Sequence, residues 1–269
     1  MKIEFQTNRE VRANKFLAEK LPFLKRTFVQ KLFRKKEIKL GKVAQKPDSK
    51  IQVGETLAIF LPDPRKYFFE LTGNKIVFED RDVIAFDKRS GLATHLGVGT
   101  KNDNLRDCAE TLLGLRLIVV HRLDRGTSGL VVFAKNQKMA RQLENEFRER
   151  KVFKKYFALV TKIPREKSGE VNLDLKKVGA KMEIVKQGLP AQTFWQVVKT
   201  FKNSALLAVE IKTGRTHQIR AHLAAIGLPI LGDSLYGVGE KSRLFLHAAE
   251  LRILNYNFTS AVPAEFYEN

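Results

Sequence analysis

The sequence predicts an α+β protein in two parts, and three observations carry that reading. Hydrophobic residues make up 43% of the 269, enough for a sizeable core and too many for a disordered chain. Most of the chain mixes short strand-like runs with two clear helical stretches, without an internal repeat or a low-complexity tract. Around "LPDPRKYFFE" the pair Pro62 and Pro64 disfavours a continuing helix or a central strand. A linker there divides the chain into residues 1–62 and 63–269.

The first part opens with "RANKFLAEKL", which puts Phe16, Leu17 and Leu21 on one helical face. "RTFVQKLFRKK" repeats the pattern with Phe28, Val29, Leu32 and Phe33, and Thr27 is a candidate cap. The outer face of that helix would carry Lys31, Arg34, Lys35 and Lys36. Strand-like "EIKLGKV" and "ETLAIFL" follow. In the second part, strands are expected at 76–78, 83–87, 117–121, 130–134, 156–160, 193–200 and 205–212. A helix is expected over 136–150, capped by Asn136, with Met139, Leu143 and Phe147 as its core stripe. A second helix, "THQIRAHLAAIG", has Thr216 as candidate N-cap and Gly227 as its stop.

Charge narrows the partner. Lys and Arg number 49 against 29 Asp and Glu, a net of +20. Such an excess favours a polyanion, because cations that contact phosphates release condensed counterions. The first 62 residues hold 15 Lys and Arg against 6 acids, about twice the basic density of the rest. A basic ridge on two small helices is a plausible RNA-binding module, although a solvated charged face would look the same. No stretch approaches the ~20 apolar residues of a membrane span. The N-terminus lacks the pattern of a signal peptide. Cys108 is the single cysteine, so no internal disulfide forms, in keeping with a cytoplasmic protein.

The chemistry centres on "HRLDRGTSGLVVFAK", residues 121–135, where Asp124 stands between Arg122 and Arg125. A Ser-His-Asp triad from Ser128, His121 and Asp124 fails, because all three sit on one strand and turn. The order Gly126-Thr127-Ser128-Gly129 is also not the Gly-x-Ser-x-Gly elbow. Metal chemistry lacks ligands: His217 and His222 are five apart, and there is no cysteine pair. Glycine-rich phosphate loops are missing as well. An aspartate remains, ionised at neutral pH by its intrinsic pKa of ~3.9 and able to attack an electron-poor carbon. A second stretch, residues 212–237, could aim it with a guanidinium, from Arg215 at a turn or Arg220 one helical turn on. Spacing alone favours plainer roles, a turn former for Asp124 and a surface ion pair for Arg220.

These residues carry a resemblance. "HRLDRGTSGLVVFAK" resembles the catalytic motif of the RluA-type pseudouridine synthases, the group that contains the RluC and RluD enzymes. Four further stretches agree in order: "VFEDRDVIAFDKRSGLATH" (77–95), "KKYFALV" (154–160), "TGRTHQIRAHLAAIGLPILGDSLYG" (213–237) and "FLHAAEL" (245–251). The N-terminal part, ending "VGETLAIFLP", is similar to an S4 RNA-binding domain. The stretch "HLGVGT" (95–100) leans towards the RluC type. One departure stands out, Arg89 where the family usually has proline after Lys88, which bears on the geometry of that loop.

The resemblance implies a mixed, largely antiparallel sheet for the catalytic domain and a small S4-like α/β domain before it. It implies that uridine is detached from C1′, turned and rejoined through C5. Asp124 would be the essential aspartate, whether it attacks C1′, adds to the base or assists a glycal. Tyr156 would stack on uracil and accept a proton in the later steps. Arg220 would pair with Asp124, and Arg122 would enter the RNA where the base has left. Lys31, Arg34, Lys35, Lys36 and Arg215 would grip RNA. The implied partner is RNA, most simply 23S ribosomal RNA, bound by a monomer without metal, cofactor or membrane. The alternative is a non-catalytic RNA-binding or ribosome-assembly factor on the same fold.

Overall fold

The computed structural model describes residues 1–64, 67–96, 104–237 and 243–268. Most of the "HLGVGT" stretch, 97–100, lies outside them. The chain divides into two compact units, 1–76 with 95–116, and 77–94 with 117–269.

In the first unit, β1 (Lys2–Gln6), β2 (Val11–Arg12), α1 (Ala13–Lys20) and α2 (Arg26–Arg34) come first. They are followed by β3 (Ile38–Leu40), β4 (Val43–Ala44), β5 (Lys50–Ile51), β6 (Thr56–Phe60) and α3 (Phe68–Thr72). The strands form an antiparallel sheet in the order β1-β6-β3-β4, with β2 and β5 paired separately. Phe16, Leu17, Leu32 and Phe33 bury the inner faces of the two helices, while Lys31, Arg34, Lys35 and Lys36 are exposed. Thr27 does not cap α2. The N-cap position lies two residues earlier, at Lys25, without a side-chain cap. The unit also runs past the boundary expected at Pro62, because Phe68 and Leu71 are buried and the Leu71 carbonyl accepts from the Lys25 amide at 2.8 Å. A further helix, α4 (Leu105–Leu113), belongs to this unit. Asn104 caps it by accepting from the Asp107 amide at 3.0 Å, and Gly114, at φ 66°, ends it.

Among the described residues, the main sheet of the second unit has ten strands. They are β7 (Lys75–Glu79), β8 (Val83–Lys88), β9 (Ile118–Val119), β10 (Ser128–Ala134), β11 (Phe153–Val160) and β12 (Ser168–Asn172), then, after the separate hairpin of β13 (Asp174–Val178) and β14 (Lys181–Val185), β15 (Gln192–Thr200), β16 (Ala205–Ile211), β17 (Leu246–Ile253) and β18 (Tyr256–Thr259). The main path is β12-β15-β16-β11-β17-β10-β8-β7, with β9 beside β10 and β18 beside β17. β8 with β10, β11 with β16 and β17, and β15 with β12 and β16 pair antiparallel, whereas β10 with β17 is parallel over Ser128↔His247 and Gly129↔Ala248. Every residue of β10 is buried, so the run reads as continuously apolar rather than alternating. The helix α5 (Gln137–Arg148) covers one face. Asn136 caps it, accepting from the Met139 amide at 2.9 Å, and Met139, Leu143 and Phe147 pack on Val83, Leu130 and Val132. The helix α6 (Gln218–Ala225) covers another patch through Ile219 and Leu223. Its N-cap is not Thr216 but His217, held in the left-handed region at φ 52°. Gly227, at φ 77°, follows its end as expected.

Candidate active site

The loop from His121 to Thr127 enters β10 through a turn in which the Thr127 amide donates to the Asp124 carbonyl at 3.1 Å. Segment 88–94 fastens it. The Ser90 hydroxyl donates to the Gly126 carbonyl at 2.6 Å, Arg125 Nε to Gly91 O at 2.8 Å, and Thr94 Oγ1 exchanges bonds with the Leu123 backbone at 3.1 Å. Lys88, fully buried, donates to the carbonyls of Leu92, Arg89 and Arg125 at 2.8, 3.1 and 3.3 Å. Burial pushes its ammonium down to about 7, with the Asp124 charge working the other way. Arg89 thus takes part in this clasp through its carbonyl, which proline would also supply.

At the far end of the loop, Gly129 is indispensable for geometry. Its φ is 106°, and a Cβ there would lie 2.2 Å from the Ala248 carbonyl oxygen on β17. The parallel seam therefore sits against bare backbone, three residues after Gly126. Ser128 is buried, accepts from Arg243 Nη2 at 2.6 Å and shares a 2.9 Å bond with His247 Nδ1. His121 accepts from the Val132 amide through Nε2 at 2.9 Å and stacks on Phe147. Burial, aided by the Lys154 charge, pushes its imidazole down to about 3. Both residues hold strands, so neither serves a triad.

Asp124 keeps 18% of its side chain exposed in a pocket lined also by Arg122, Tyr156, Arg215, His217 and Arg220. Five of the site residues expected from the sequence thus meet in one place. Lys31, Arg34, Lys35 and Lys36 belong to the other unit. Arg220 pairs with Asp124 as expected, but its tighter partner is Asp233. Its Nη1 reaches Asp124 Oδ2 at 3.4 Å, a long contact, whereas Nε and Nη2 grip both oxygens of Asp233 at 2.8 Å. Asp233 is fully buried and also accepts from the amides of Leu235 and Tyr236. Burial pushes its carboxyl up, but the guanidinium and the two amides outweigh that and hold it below the usual carboxylate range. Arg220 is therefore a fixed post whose third nitrogen is left for Asp124. Gly232 makes the turn before Asp233, since a Cβ would meet the Arg243 carbonyl at 1.8 Å.

A second arm reaches Asp124 through His217. Its Nε2 stands 3.9 Å from Asp124 Oδ2, and its Nδ1 is 3.1 Å from the Tyr236 hydroxyl. That hydroxyl also accepts from the Met182 amide on β14 at 2.6 Å. Burial holds the imidazole below its usual value. The neutral imidazole thus bridges the Tyr236 hydroxyl and the Asp124 carboxylate through its two nitrogens. Gln218 fixes the turn, accepting from Thr213 Oγ1 at 2.7 Å and the Arg215 amide at 3.1 Å. Burial, with the Asp124 charge added, pushes the Tyr156 phenol well above its usual value, so it keeps its proton. Sequence reading missed Asp233, His217 and Tyr236. Their signal was "GRTHQIR" and "GDSLYG" standing whole, with roles for only two arginines. Among the described residues no group of His, Cys, Asp and Glu has the geometry of a metal site.

The RNA pseudouridylate synthase family model matches residues 82–225. The ribosomal large subunit pseudouridine synthase C of Buchnera aphidicola subsp. Acyrthosiphon pisum is 32% identical over 270 residues, covering 91% of this chain and 86% of that protein. Its namesake from Rickettsia conorii is 34% identical over 279 residues, covering 92% and 90%. The solved structure of human RNA pseudouridylate synthase domain containing 4 superposes with a TM-score of 0.58 at 30% identity, over 71% of this chain and 90% of that one.

Proposed function

This chain belongs to the RNA pseudouridylate synthase family, and from that premise we propose that it isomerises specific uridines of 23S ribosomal RNA with Asp124 as nucleophile. The relatives named for the large ribosomal subunit support the choice of RNA. The observation that carries the nucleophile is the Asp124 carboxylate, partly open to a shared pocket and flanked by a guanidinium that a second, buried carboxylate holds still. Such an arrangement fixes direction before substrate arrives, which is where a positioned nucleophile gains most.

The extruded uridine enters beside Tyr156, whose ring stacks on the base. Asp124 takes the sugar–base junction as the C1′–N1 bond breaks, and uracil turns to present C5. When C5 has bonded to C1′, its hydrogen must leave as a proton. A protonated phenol accepts it only by passing its own proton on; Asp124, regenerated at this stage, takes that proton in the same pocket, and its release to N1, which lost its bond to C1′, restores the carboxylate. Arg122, exposed at the pocket's edge, fills the place that the base has left. No cofactor is required, because the step is a redox-neutral isomerisation in which C1′–C5 and N1–H replace C1′–N1 and C5–H. Residues 1–62, as an S4-like module in the cytoplasm, add grip through Lys31, Arg34, Lys35 and Lys36.

Tritium release from C5-labelled uridine in 23S rRNA tests the reading. Wild type should release the label, and Asp124→Asn should slow release at least roughly a thousandfold. Release by that variant at the normal rate would remove Asp124 from its role.

A further inference from the structure

Beside the Asp124 pocket lies a larger cleft of about 430 Å³, and the two share Arg122, Tyr156, Ile211, Gly214 and Arg215 as walls. Its other cations are Arg148, Arg150, Lys154 and Lys212, and among the described residues no carboxylate lines it. Lys154 is the buried one, 9% exposed, and stands two residues before Tyr156 on β11, so both side chains leave the same face. Its Nζ donates to the Thr213 carbonyl at 3.3 Å, one of the three bonds an ammonium can make. Burial and the neighbouring charges of Arg150 and Lys212 press it down to about 8. A cation desolvated among like charges is unfavourable unless an anion joins it.

We propose that this cleft binds a phosphodiester of the RNA strand adjoining the extruded uridine, with Lys154 as its buried ligand and Arg150 and Lys212 at the rim. The anion's identity rests on the synthase reading given above; the demand for an anion rests on the cleft alone. Phosphate here would anchor the nucleotide from the sugar side while Tyr156, in the shared wall, meets the base. Orientation of the sugar would then come from a charge outside the reacting centre.

The test is equilibrium binding of the full chain to a 23S rRNA transcript over a range of salt, because the slope of log affinity against log salt counts phosphate contacts. Lys154→Met should weaken binding roughly tenfold at moderate salt and reduce the slope by about 0.7. Lys154→Arg should restore most of both. Arg150→Gln combined with Lys212→Gln alters only exposed side chains, and it should reduce the slope with the melting temperature unchanged. A slope unaltered in both Lys154→Met and the rim variant overturns the phosphate site. Binding requires no turnover, so absence of tritium release from wild type would instead overturn the synthase reading and leave the slopes readable.

Discussion

At the scale of single residues, the site is organised by the partners that hold Asp124 and Arg220 in place. Asp233 holds two of the Arg220 nitrogens at 2.8 Å and leaves Asp124 a contact of 3.4 Å. Removing one member of a buried pair strands the other charge, at a cost of about 3–5 kcal/mol. Asp233→Asn should therefore lower stability by about 3 kcal/mol in urea titration and also reduce single-turnover tritium release, since Arg220 loses its fixed direction. His121 makes a separate prediction about pH. Its folded value, about 3, lies below the 6.5 of a free imidazole, so between those values the unfolded chain binds more protons. Its stabilising contribution is complete above pH 6.5 and is lost as pH falls towards 3. Between pH 7 and 5 this one group should account for about 2 kcal/mol of lost stability. Urea midpoints at both values should show a correspondingly smaller pH dependence in His121→Gln.

At the scale of elements, the parallel seam between β10 and β17 is the feature on which the Asp124 loop depends. Gly129 lets the two backbones meet, and Gly129→Ala would drive a Cβ into the Ala248 carbonyl at 2.2 Å in a backbone conformation that alanine avoids. That substitution should cost at least about 3 kcal/mol by chemical denaturation and should abolish turnover together with fold. Most of the elements were legible. The strands expected at 83–87, 130–134, 156–160 and 205–212 coincide with β8, β10, β11 and β16, because apolar runs between turn residues admit few other readings. The strand expected at 117–121 shrinks to β9, Ile118–Val119. Helix starts fared worse: Thr27 and Thr216 look like caps, yet Lys25 and His217 occupy those places. A cap residue is chosen locally only when tertiary contacts leave it free, and here Gln218 and Tyr236 hold the turn at His217. The helix α4 went unread although Asn104, Gly114 and the spacing of Leu105, Cys108, Ala109 and Leu112 announce it.

At the scale of the whole molecule, the +20 charge is a binding property rather than a folding one. The four exposed cations of α2 and its end, Lys31, Arg34, Lys35 and Lys36, have no place in the Asp124 pocket. Changing all four to Gln should raise KM for 23S rRNA several-fold and flatten its salt dependence, with kcat at saturating RNA unchanged. A fall in kcat instead would give these residues a part in the chemistry.

The sequence by itself determined the α+β class, the polyanionic partner and the segments that supply Asp124, Tyr156 and Arg220, because composition, apolar pattern and contiguous motifs are all written along the chain. Tertiary structure alone decided who holds whom. Arg220 meets Asp233 and Asp124 from 13 and 96 residues away, and Lys88 clasps Arg125 across 37. Such pairings follow from which strands lie side by side and which side chains lose their water together, and neither property belongs to any local stretch of residues.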